Sequence, residues 1–264
     1  MNRDNLLHFY KYQGAGNDFI MIDDRANQFD IEANDLVKKL CDRRFGIGAD
    51  GLILIRGHDG QDFRMVYFNS DGHLSTLCGN GSRCTVKFAS FLGIIKNQCT
   101  FMTSEGALSA KIEEEEVHLH MPDVAAADPS GNDWFIDTGS PHHVQFIEEI
   151  EGFDVFNRGR QIRNEVYGNE GANVNFVKPI EGDKIFVRTY ERGVENETLS
   201  CGTGVTASAL IYGQQSGENP IRVTTLGGDL KVSCKYKGNG TFTDVWLIGP
   251  AERVFEGKID VANL

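Results

Sequence analysis

The chain has 264 residues, of which 40% are hydrophobic and 24% are charged, so it is neither disordered nor collagen-like. Its formal net charge of −12 disfavours nucleic acid and anionic membrane surfaces as partners. No apolar run approaches the roughly 18 residues that cross a bilayer, and the first five residues lack the apolar stretch of a signal peptide, so we expect a cytoplasmic protein.

Strand patterns dominate the chain. Apolar runs and alternations rich in β-branched and aromatic residues predict strands over 63–68, 116–121, 185–190 and 230–236. Helical patterns follow in two places, 82–92 and 204–212. The first helix is expected to bury one stripe, formed by Cys84, Phe88, Phe91 and Leu92. The second carries no charged residue, which is typical of a helix buried on every side.

An internal repeat links these elements. Tyr67 lies 11 residues before Cys78, and Tyr190 lies 11 residues before Cys201. Each cysteine opens a Cys-Gly-x-Gly turn, and the two cysteines are 123 residues apart. A repeat of this length indicates duplicated domains rather than a solenoid.

The duplication predicts an α+β fold with two pseudo-symmetric halves, residues 1–123 and 124–249. Each half is expected to be a curved, mostly antiparallel sheet wrapped around one central helix. Each cysteine then lies where a strand gives way to a helix, and the two turns are expected to face each other across the cleft between the halves. This cleft is the candidate active site.

The two turns suggest a chemistry. Without an export signal, the six cysteines are expected to be thiols rather than a disulfide framework. A thiol at a helix N-terminus lies beside unpaired N–H groups and the positive end of the helix dipole, which favour the thiolate. Glycines in the turn let backbone N–H groups approach a carboxylate. Two such thiols could remove a proton from one face of a carbon and deliver one to the other, as a racemase without a cofactor requires.

Six ordered motifs, spanning about Phe9 to Gly257, resemble the diaminopimelate epimerase family. They are Gly-Ala-Gly-Asn-Asp-Phe (14–19), Gly-Ile-Gly-Ala-Asp-Gly (46–51), Asn-Ser-Asp-Gly (69–72) before Cys-Gly-Asn-Gly-Ser-Arg (78–83), Ser-Pro-His (140–142), Gly-Ala-Asn-Val-Asn-Phe (171–176), and Tyr-Glu-Arg-Gly (190–193) before Glu-Thr-Leu-Ser-Cys-Gly-Thr-Gly (197–204). The resemblance implies interconversion of LL- and meso-2,6-diaminopimelate, on the way to lysine and peptidoglycan, with no pyridoxal phosphate or other cofactor and no metal. It also implies that residues 250–264 return to the first half, and a homodimer is compatible with it.

The resemblance assigns roles to individual residues. The two acid/base residues would be Cys78 and Cys201, with His142 and Glu191 assisting proton handling beside them. The backbone of four helix-start residues would hold the reacting carboxylate, namely Gly79, Asn80, Gly202 and Thr203. Polar side chains would read the distant stereocentre of this small amino-acid substrate, namely Asn17, Asn69, Asn173, Glu191 and Arg192.

The chain departs from the usual family pattern at Ser140, at His73 and by one residue more between Gly193 and Glu197. These departures leave open a racemase of the same fold that acts on another amino acid. A dithiol redox or regulatory protein is a second alternative, although Cys78 and Cys201 lie in no Cys-x-x-Cys pair. A non-catalytic binding protein would not need two thiols at helix starts. Near the site, alternation along the strand after His142 predicts that His143 points to solvent.

Overall fold

A computed structural model of the chain describes residues 6–264, except the side chain of Asn263. The expectations that rest on residues 1–5, namely the missing signal peptide and the start of the first half, lie outside the described residues. Within the part of the chain that is described, no helix is long and apolar enough to span a membrane.

The chain divides into two compact units. Unit 1 ends its first segment at Leu119 and resumes with Pro250–Leu264, whereas unit 2 is His120–Gly249. The helices and strands that precede the boundary at Leu119, together with β7, which crosses it, are β1 (Leu6–Gly14), β2 (Asn17–Asp23), α1 (Asn34–Cys41), β3 (Gly51–Arg56), β4 (Phe63–Asn69), α2 (Gly79–Phe91), β5 (Gln98–Thr103), β6 (Gly106–Glu113) and β7 (Glu116–Met121).

The remaining elements follow in the same alternation of strands and helices. They are β8 (Asp128–Ser130), β9 (Asp133–Asp137), β10 (Pro141–Phe146), α3 (Val155–Glu165), β11 (Asn173–Glu181), β12 (Lys184–Glu191), β13 (Asn196–Thr198), α4 (Gly202–Ser216), β14 (Ile221–Thr225), β15 (Gly228–Tyr236), β16 (Phe242–Gly249) and β17 (Glu252–Asp260), followed by a short 3₁₀ helix, Val261–Asn263. The four strands predicted from the sequence are confirmed as β4, β7, β12 and β15.

The two units repeat one strand order. In unit 1, β2 is parallel to β3, β3 is antiparallel to β4, β4 is parallel to β5, and β5 is antiparallel to β6. In unit 2, the same relations join β10, β11, β12, β14 and β15. Parallel neighbours need a crossover, which α1 and α2 supply in unit 1 and α3 and α4 in unit 2. The predicted α+β class is confirmed. The last strand, β17, pairs antiparallel with β1 and so lies in unit 1.

In each unit the sheet is covered on both faces. In unit 1, one face packs on α1 through a cluster that includes Ile20, Val37 and Leu52. In unit 2, an equivalent cluster joins α3 to the sheet through Ile162 and Phe176. The helices that begin beside the cysteines, α2 and α4, are themselves buried over most of their length. Consecutive residues of β3 and of the first half of β11 are therefore buried, as in other strands between helix layers.

The single buried stripe predicted for the first helix is wrong. Phe91 is 49% exposed, whereas every residue of α2 from Gly79 to Val86 is buried. Most side chains of the first two turns are small, and their hydroxyls are hydrogen-bonded. Thr85 Oγ1 donates to Gly81 O at 2.7 Å, and Ser82 Oγ donates to Met65 Sδ at 3.7 Å. The prediction that the second helix is buried all round is confirmed by α4.

Candidate active site

In unit 1, Cys78 is the N-cap of α2. Its backbone is extended (φ −118°, ψ 115°), and its Sγ accepts a hydrogen bond from Gly81 N–H at 3.4 Å. The N–H groups of the first helical turn have no intrahelical acceptors, so they form an anion cradle here. The half-buried sulfur therefore lies beside donors that favour a thiolate and can also hold a carboxylate.

One acceptor faces the same sulfur. As a thiol, Cys78 donates to Asn17 Oδ1 at 3.6 Å, and Asn80 Nδ2 donates to that oxygen at 3.4 Å. The orientation of the Asn17 amide is fixed because its Nδ2 donates to Asp50 Oδ2 at 2.6 Å. Asn17 thus joins Cys78 and Asn80 in one polar group.

Arginine and lysine hold the carboxylates behind Asn17 in place. Arg43 lies 2.6 Å from Asp18 and 2.7 Å from Asp50, and Lys11 lies 2.8 Å from Asp18. Burial alone would raise the pKa of Asp18, but the hydrogen bonds from Arg43 and Lys11 outweigh it and lower that pKa to about 2. Asp18 is therefore ionised at neutral pH and anchors the strand that carries Asn17.

Asn69 stands apart from this group. It is the last residue of β4, its side chain is exposed, and its backbone N–H donates to His73 O at 2.9 Å. His73, one of the departures from the family pattern, is exposed on the turn that follows β4. Asn69 therefore lies at the end of β4, opposite Gly51 of β3, and the hydrogen bonds of the described residues do not join it to Cys78.

In unit 2, Cys201 is the N-cap of α4, with the same extended backbone (φ −113°, ψ 112°). Its Sγ lies 3.5 Å from Thr203 Oγ1, and that hydroxyl lies 2.9 Å from His142 Nε2. His142 is fully buried in β10, and its Nδ1 lies 3.0 Å from Asn175 Nδ2. His142 therefore reaches Cys201 through Thr203 rather than directly.

The direction of this chain follows from Asn175. Its Oδ1 accepts from Thr189 Oγ1 at 2.9 Å, so its Nδ2 is the group that donates to His142 Nδ1. His142 must then carry its proton on Nε2 and donate it to Thr203, whose own proton is free to point at the sulfur of Cys201. Each link donates toward Cys201, which favours the anionic form of that thiol.

His142 stays neutral in this arrangement. Burial, and secondarily the positive charge of Arg192, lower its pKa from 6.5 to about 3. Below pH 6.5 the unfolded chain binds a proton at His142 that the folded chain does not, so stability falls as the pH drops from 6.5 toward 3. A neutral imidazole at this position orients the Thr203 hydroxyl.

We expect this neutral histidine to make the protein acid-sensitive. Between pH 7 and pH 5, His142 should remove about 2 kcal/mol from the free energy of unfolding, measured by urea denaturation. His142→Gln should lose correspondingly less over the same interval, because glutamine does not titrate. His73→Gln, on an exposed turn, serves as control and should retain the full wild-type loss. An unchanged pH dependence in His142→Gln would contradict the assignment.

The other candidates of unit 2 have partners within the unit. Asn173 is buried; its Nδ2 donates to Ser140 Oγ at 2.9 Å, and its Oδ1 accepts from Arg192 N–H at 2.9 Å. Glu191 accepts from Thr198 Oγ1 at 2.9 Å, and the exposed Arg192 donates to Glu170 O at 3.0 Å. Asn173 thus fixes the Ser140 hydroxyl and the backbone at Arg192. The guanidinium of Arg192 itself lies at the surface.

Two features differ from the sequence analysis. His143 is buried, contrary to the prediction that it points to solvent, because Asp133 and Tyr167 bind its ring nitrogens at 3.2 and 2.9 Å on the face that the α3 segment covers. Asn175 was not singled out, although it is two residues from Asn173 on the same strand and therefore on the same face. That period-2 spacing is the signal that could have identified it.

Sequence comparisons cover both units. A family model described as diaminopimelate epimerase matches residues 9–125 and 134–254. The diaminopimelate epimerase of Flavobacterium psychrophilum is 50% identical over 257 residues, covering 96% of this chain and 100% of that protein. The diaminopimelate epimerase of Aquifex aeolicus is 39% identical over 275 residues, covering 96% and 98%.

Solved structures of similar fold also cover nearly the whole chain. A phenazine biosynthesis protein of the PhzF family from Bacillus anthracis has a TM-score of 0.74 at 14% identity, covering 96% of this chain and 99% of that chain. A hydroxyproline epimerase from Agrobacterium vitis has a TM-score of 0.70 at 12% identity, covering 98% and 94%. At such identities the similarity shows the fold alone.

Proposed function

We propose that this chain, which belongs to the diaminopimelate epimerase family, inverts one α-carbon of 2,6-diaminopimelate and so interconverts the LL and meso isomers. The observation that carries the proposal is the repeated placement of a cysteine at the N-cap of a buried helix, once in each duplicated unit. We place the reaction in the cytoplasm, in the synthesis of lysine and peptidoglycan precursors, with the free amino acid as substrate. The oligomer that we propose is a homodimer.

The reaction needs two bases. One sulfur, as a thiolate, takes the α-proton; the other, as a thiol, donates a proton to the opposite face of the same carbon. Each cysteine ends in the state from which the other began, so the reverse reaction uses the same groups in exchanged roles. No redox step occurs, and neither proton transfer requires a cofactor. Gly81 N–H at Cys78 and Thr203 at Cys201 are the donors that support the anionic form of each sulfur.

Removing the α-proton is the costly step. A thiol and an amino-acid α-carbon differ by well over ten pKa units, which is on the order of 14 kcal/mol at about 1.36 kcal/mol per unit. Enzymes supply roughly 8–23 kcal/mol, so the difference is within reach. Most of it must come from donors that bind the substrate carboxylate more tightly as charge develops on it. The first-turn N–H groups of Gly79, Asn80, Gly202 and Thr203 are the donors that we assign to this task.

We assign recognition of the distant centre to polar side chains that the resemblance names. Arg192 has an exposed guanidinium that can bind a carboxylate with two parallel hydrogen bonds. Asn17, Asn69 and Glu191 offer oxygens that can accept from an ammonium group. Asn173 acts differently, since it holds the backbone of Arg192 and the hydroxyl of Ser140. A carboxylate and an ammonium group far from the reacting carbon are what distinguish diaminopimelate from a simple amino acid.

The proposal is tested by following inversion in D₂O without added cofactor. LL-diaminopimelate should yield meso product that carries one deuterium at the inverted α-carbon, read by mass spectrometry after chiral derivatisation. Early in the reaction the recovered LL substrate should carry none, because the base that takes the proton is not the acid that returns one. Product without deuterium, or substrate labelled as fast as product, would contradict the two-base scheme.

A substrate panel separates the alternatives. Histidine, lysine and proline lack the second amino-acid centre of diaminopimelate, so each should be inverted at least about 100-fold more slowly, as expected when buried polar groups lose their partners. If histidine, lysine or proline is inverted faster than diaminopimelate, the protein is a racemase with a different substrate. Activity that requires a disulfide between Cys78 and Cys201, seen by comparing reduced and oxidised protein, would favour the redox alternative.

A further inference from the structure

Arg83 is a buried guanidinium that the proposed reaction does not use. It is fully buried in the second turn of α2, five residues after Cys78. Its hydrogen bonds go to Asn80 Oδ1 at 3.0 Å, Pro250 O at 3.4 Å and Gly79 O at 3.5 Å. Among residues 6–264 it forms no ion pair with a carboxylate. A buried charge is normally paired, so an unbalanced cation at this place needs an explanation.

The duplicated unit lacks this cation. The residue equivalent to Arg83, 123 positions later, is Thr206, whose hydroxyl donates to Gly202 O at 2.9 Å within its own helix. The fold therefore tolerates a small neutral residue at this position of the central helix. The groups around the two sulfurs therefore differ between the units. In unit 2, Cys201 lies beside the Thr203 hydroxyl, which His142 orients.

Arg83 remains charged although burial lowers its pKa, because an unperturbed guanidinium titrates far above neutral pH. The titratable groups at or in its own helix are Cys78, Cys84 and Lys87, and Lys87 is paired with Glu115. On the strands packed against this helix they are Tyr10 and Tyr12 of β1, Asp18 of β2 and Arg253 of β17; Asp18 is already paired with Arg43 and Lys11, and Arg253 lies over the ring of Phe91. Burial raises the pKa of the Cys84 thiol and raises that of Tyr12 to about 12, so both stay neutral. Cys78, half-buried and next to the anion cradle, is the group that can become the counter-charge.

Arg83 also acts on Cys78 through two side chains. Its Nη2 binds Asn80 Oδ1, which turns Asn80 Nδ2 toward Asn17 Oδ1. The Cys78 thiol also donates to that oxygen, which holds the proton on the sulfur while Cys78 is neutral. With Asn80 supplying a donor, Asn17 keeps a partner when Cys78 ionises.

We propose that Arg83 is a positioning residue that stabilises the anionic form of Cys78, both by its unbalanced buried charge and by orienting Asn80. This inference rests on the proposed function, in which Cys78 must act as a base in one direction of the reaction. It assigns unequal support to the two sulfurs: a buried cation in unit 1 and a neutral hydrogen-bonded chain in unit 2. Cys78 is accordingly the more readily ionised of the two thiols.

The test measures the rate of iodoacetamide alkylation of Cys78 and Cys201 against pH, each followed by mass spectrometry of its own peptide. In the wild-type protein the midpoint for Cys78 should lie below that for Cys201. Arg83→Met should raise the Cys78 midpoint by about one pH unit or more, a roughly tenfold loss of alkylation rate at neutral pH, with the Cys201 midpoint unchanged. Arg83→Lys should keep the Cys78 midpoint close to its wild-type value, because lysine keeps the positive charge.

Thr206→Val, the matched change in unit 2, should leave the Cys78 midpoint where it is. Equal shifts at both cysteines, an unshifted Cys78 in Arg83→Met, or a Lys variant that behaves like Met would each overturn the inference. If Arg83→Met does not fold, the Lys variant and the wild-type order of midpoints still decide it. Alkylation needs no substrate, so a chain that fails to invert diaminopimelate but shows these shifts would refute the function and keep the role of Arg83.

Discussion

Replacing either Cys78 or Cys201 by alanine should abolish inversion of diaminopimelate, with a loss in kcat/KM of at least about 1,000-fold. Alanine can neither take nor deliver a proton, and the Thr203 hydroxyl beside Cys201 is far too weak an acid to replace that thiol. The measurement is the appearance of the opposite isomer by chiral separation. Both losses should have the same size, because each sulfur is required once in every turnover whichever isomer is consumed.

The remaining cysteine should leave a signature that a merely misfolded variant would not. With one thiol present, the isomer whose α-proton faces that thiol can still exchange the proton for deuterium in D₂O, with retention of configuration. The Cys78→Ala and Cys201→Ala variants should therefore exchange opposite isomers. Exchange of the same isomer by both variants, or inversion within tenfold of wild type by either, would contradict the assignment of one base to each face.

Cys234→Ala provides the matched control. Cys234 lies half-buried on β15, outside both helix starts, and burial raises the pKa of its thiol. Its replacement should leave inversion within about twofold of wild type, since substitutions away from such sites change stability by only a few tenths of a kcal/mol. A large loss here would show that general disturbance of the fold, rather than loss of a base, explains the other two variants.

The elements that position the two cysteines are predictable from the sequence because their signals are local. A Cys-Gly-x-Gly turn after an apolar strand marks the start of a helix, and its recurrence after 123 residues identifies both copies. Strand periodicity locates β4, β7, β12 and β15 for the same reason. Because the unit is duplicated, the elements predicted for one copy can be checked against those predicted for the other.

The partners of the cysteines are less predictable because they come from distant parts of the chain. Asn17 reaches Cys78 from 61 residues away, and His142 reaches Thr203 from an equal distance. His143 shows the limit of periodicity: alternation assigns it to solvent, yet Tyr167, in the turn that follows α3, binds its ring. Which strand face is covered, and by what, depends on packing that no local pattern contains.

Gly204→Ala should be the most destabilising single-methyl change near the site. A Cβ at Gly204 would lie 2.3 Å from Asn175 Oδ1 and 3.3 Å from His142 Cε1. Asn175 cannot retreat, because it is fully buried and its amide is bound to Thr189, His142 and the carbonyl of His143. Overpacking of this kind costs about 1–3 kcal/mol, and an unsatisfied amide adds about 1–3 kcal/mol, so we expect a loss of roughly 2–6 kcal/mol in the free energy of unfolding.

The duplication supplies the control for this change. Gly81 is the equivalent of Gly204, but a Cβ there would meet the flexible end of Ile53 at 3.0 Å and the ring of Phe19 at 3.4 Å. Gly81→Ala should therefore destabilise by at least about 1 kcal/mol less than Gly204→Ala in parallel urea titrations, since an apolar side-chain end can adjust and a hydrogen-bonded amide cannot. Equal losses in the two variants would mean that the close packing of the two helices against their sheets, and not the Asn175 amide, sets the cost of the added methyl group. A larger loss for Gly204→Ala, accompanied by a weaker acid sensitivity than wild type, would instead show that the change breaks the Asn175–His142 hydrogen bond, because a more hydrated His142 would have a pKa closer to its ordinary value.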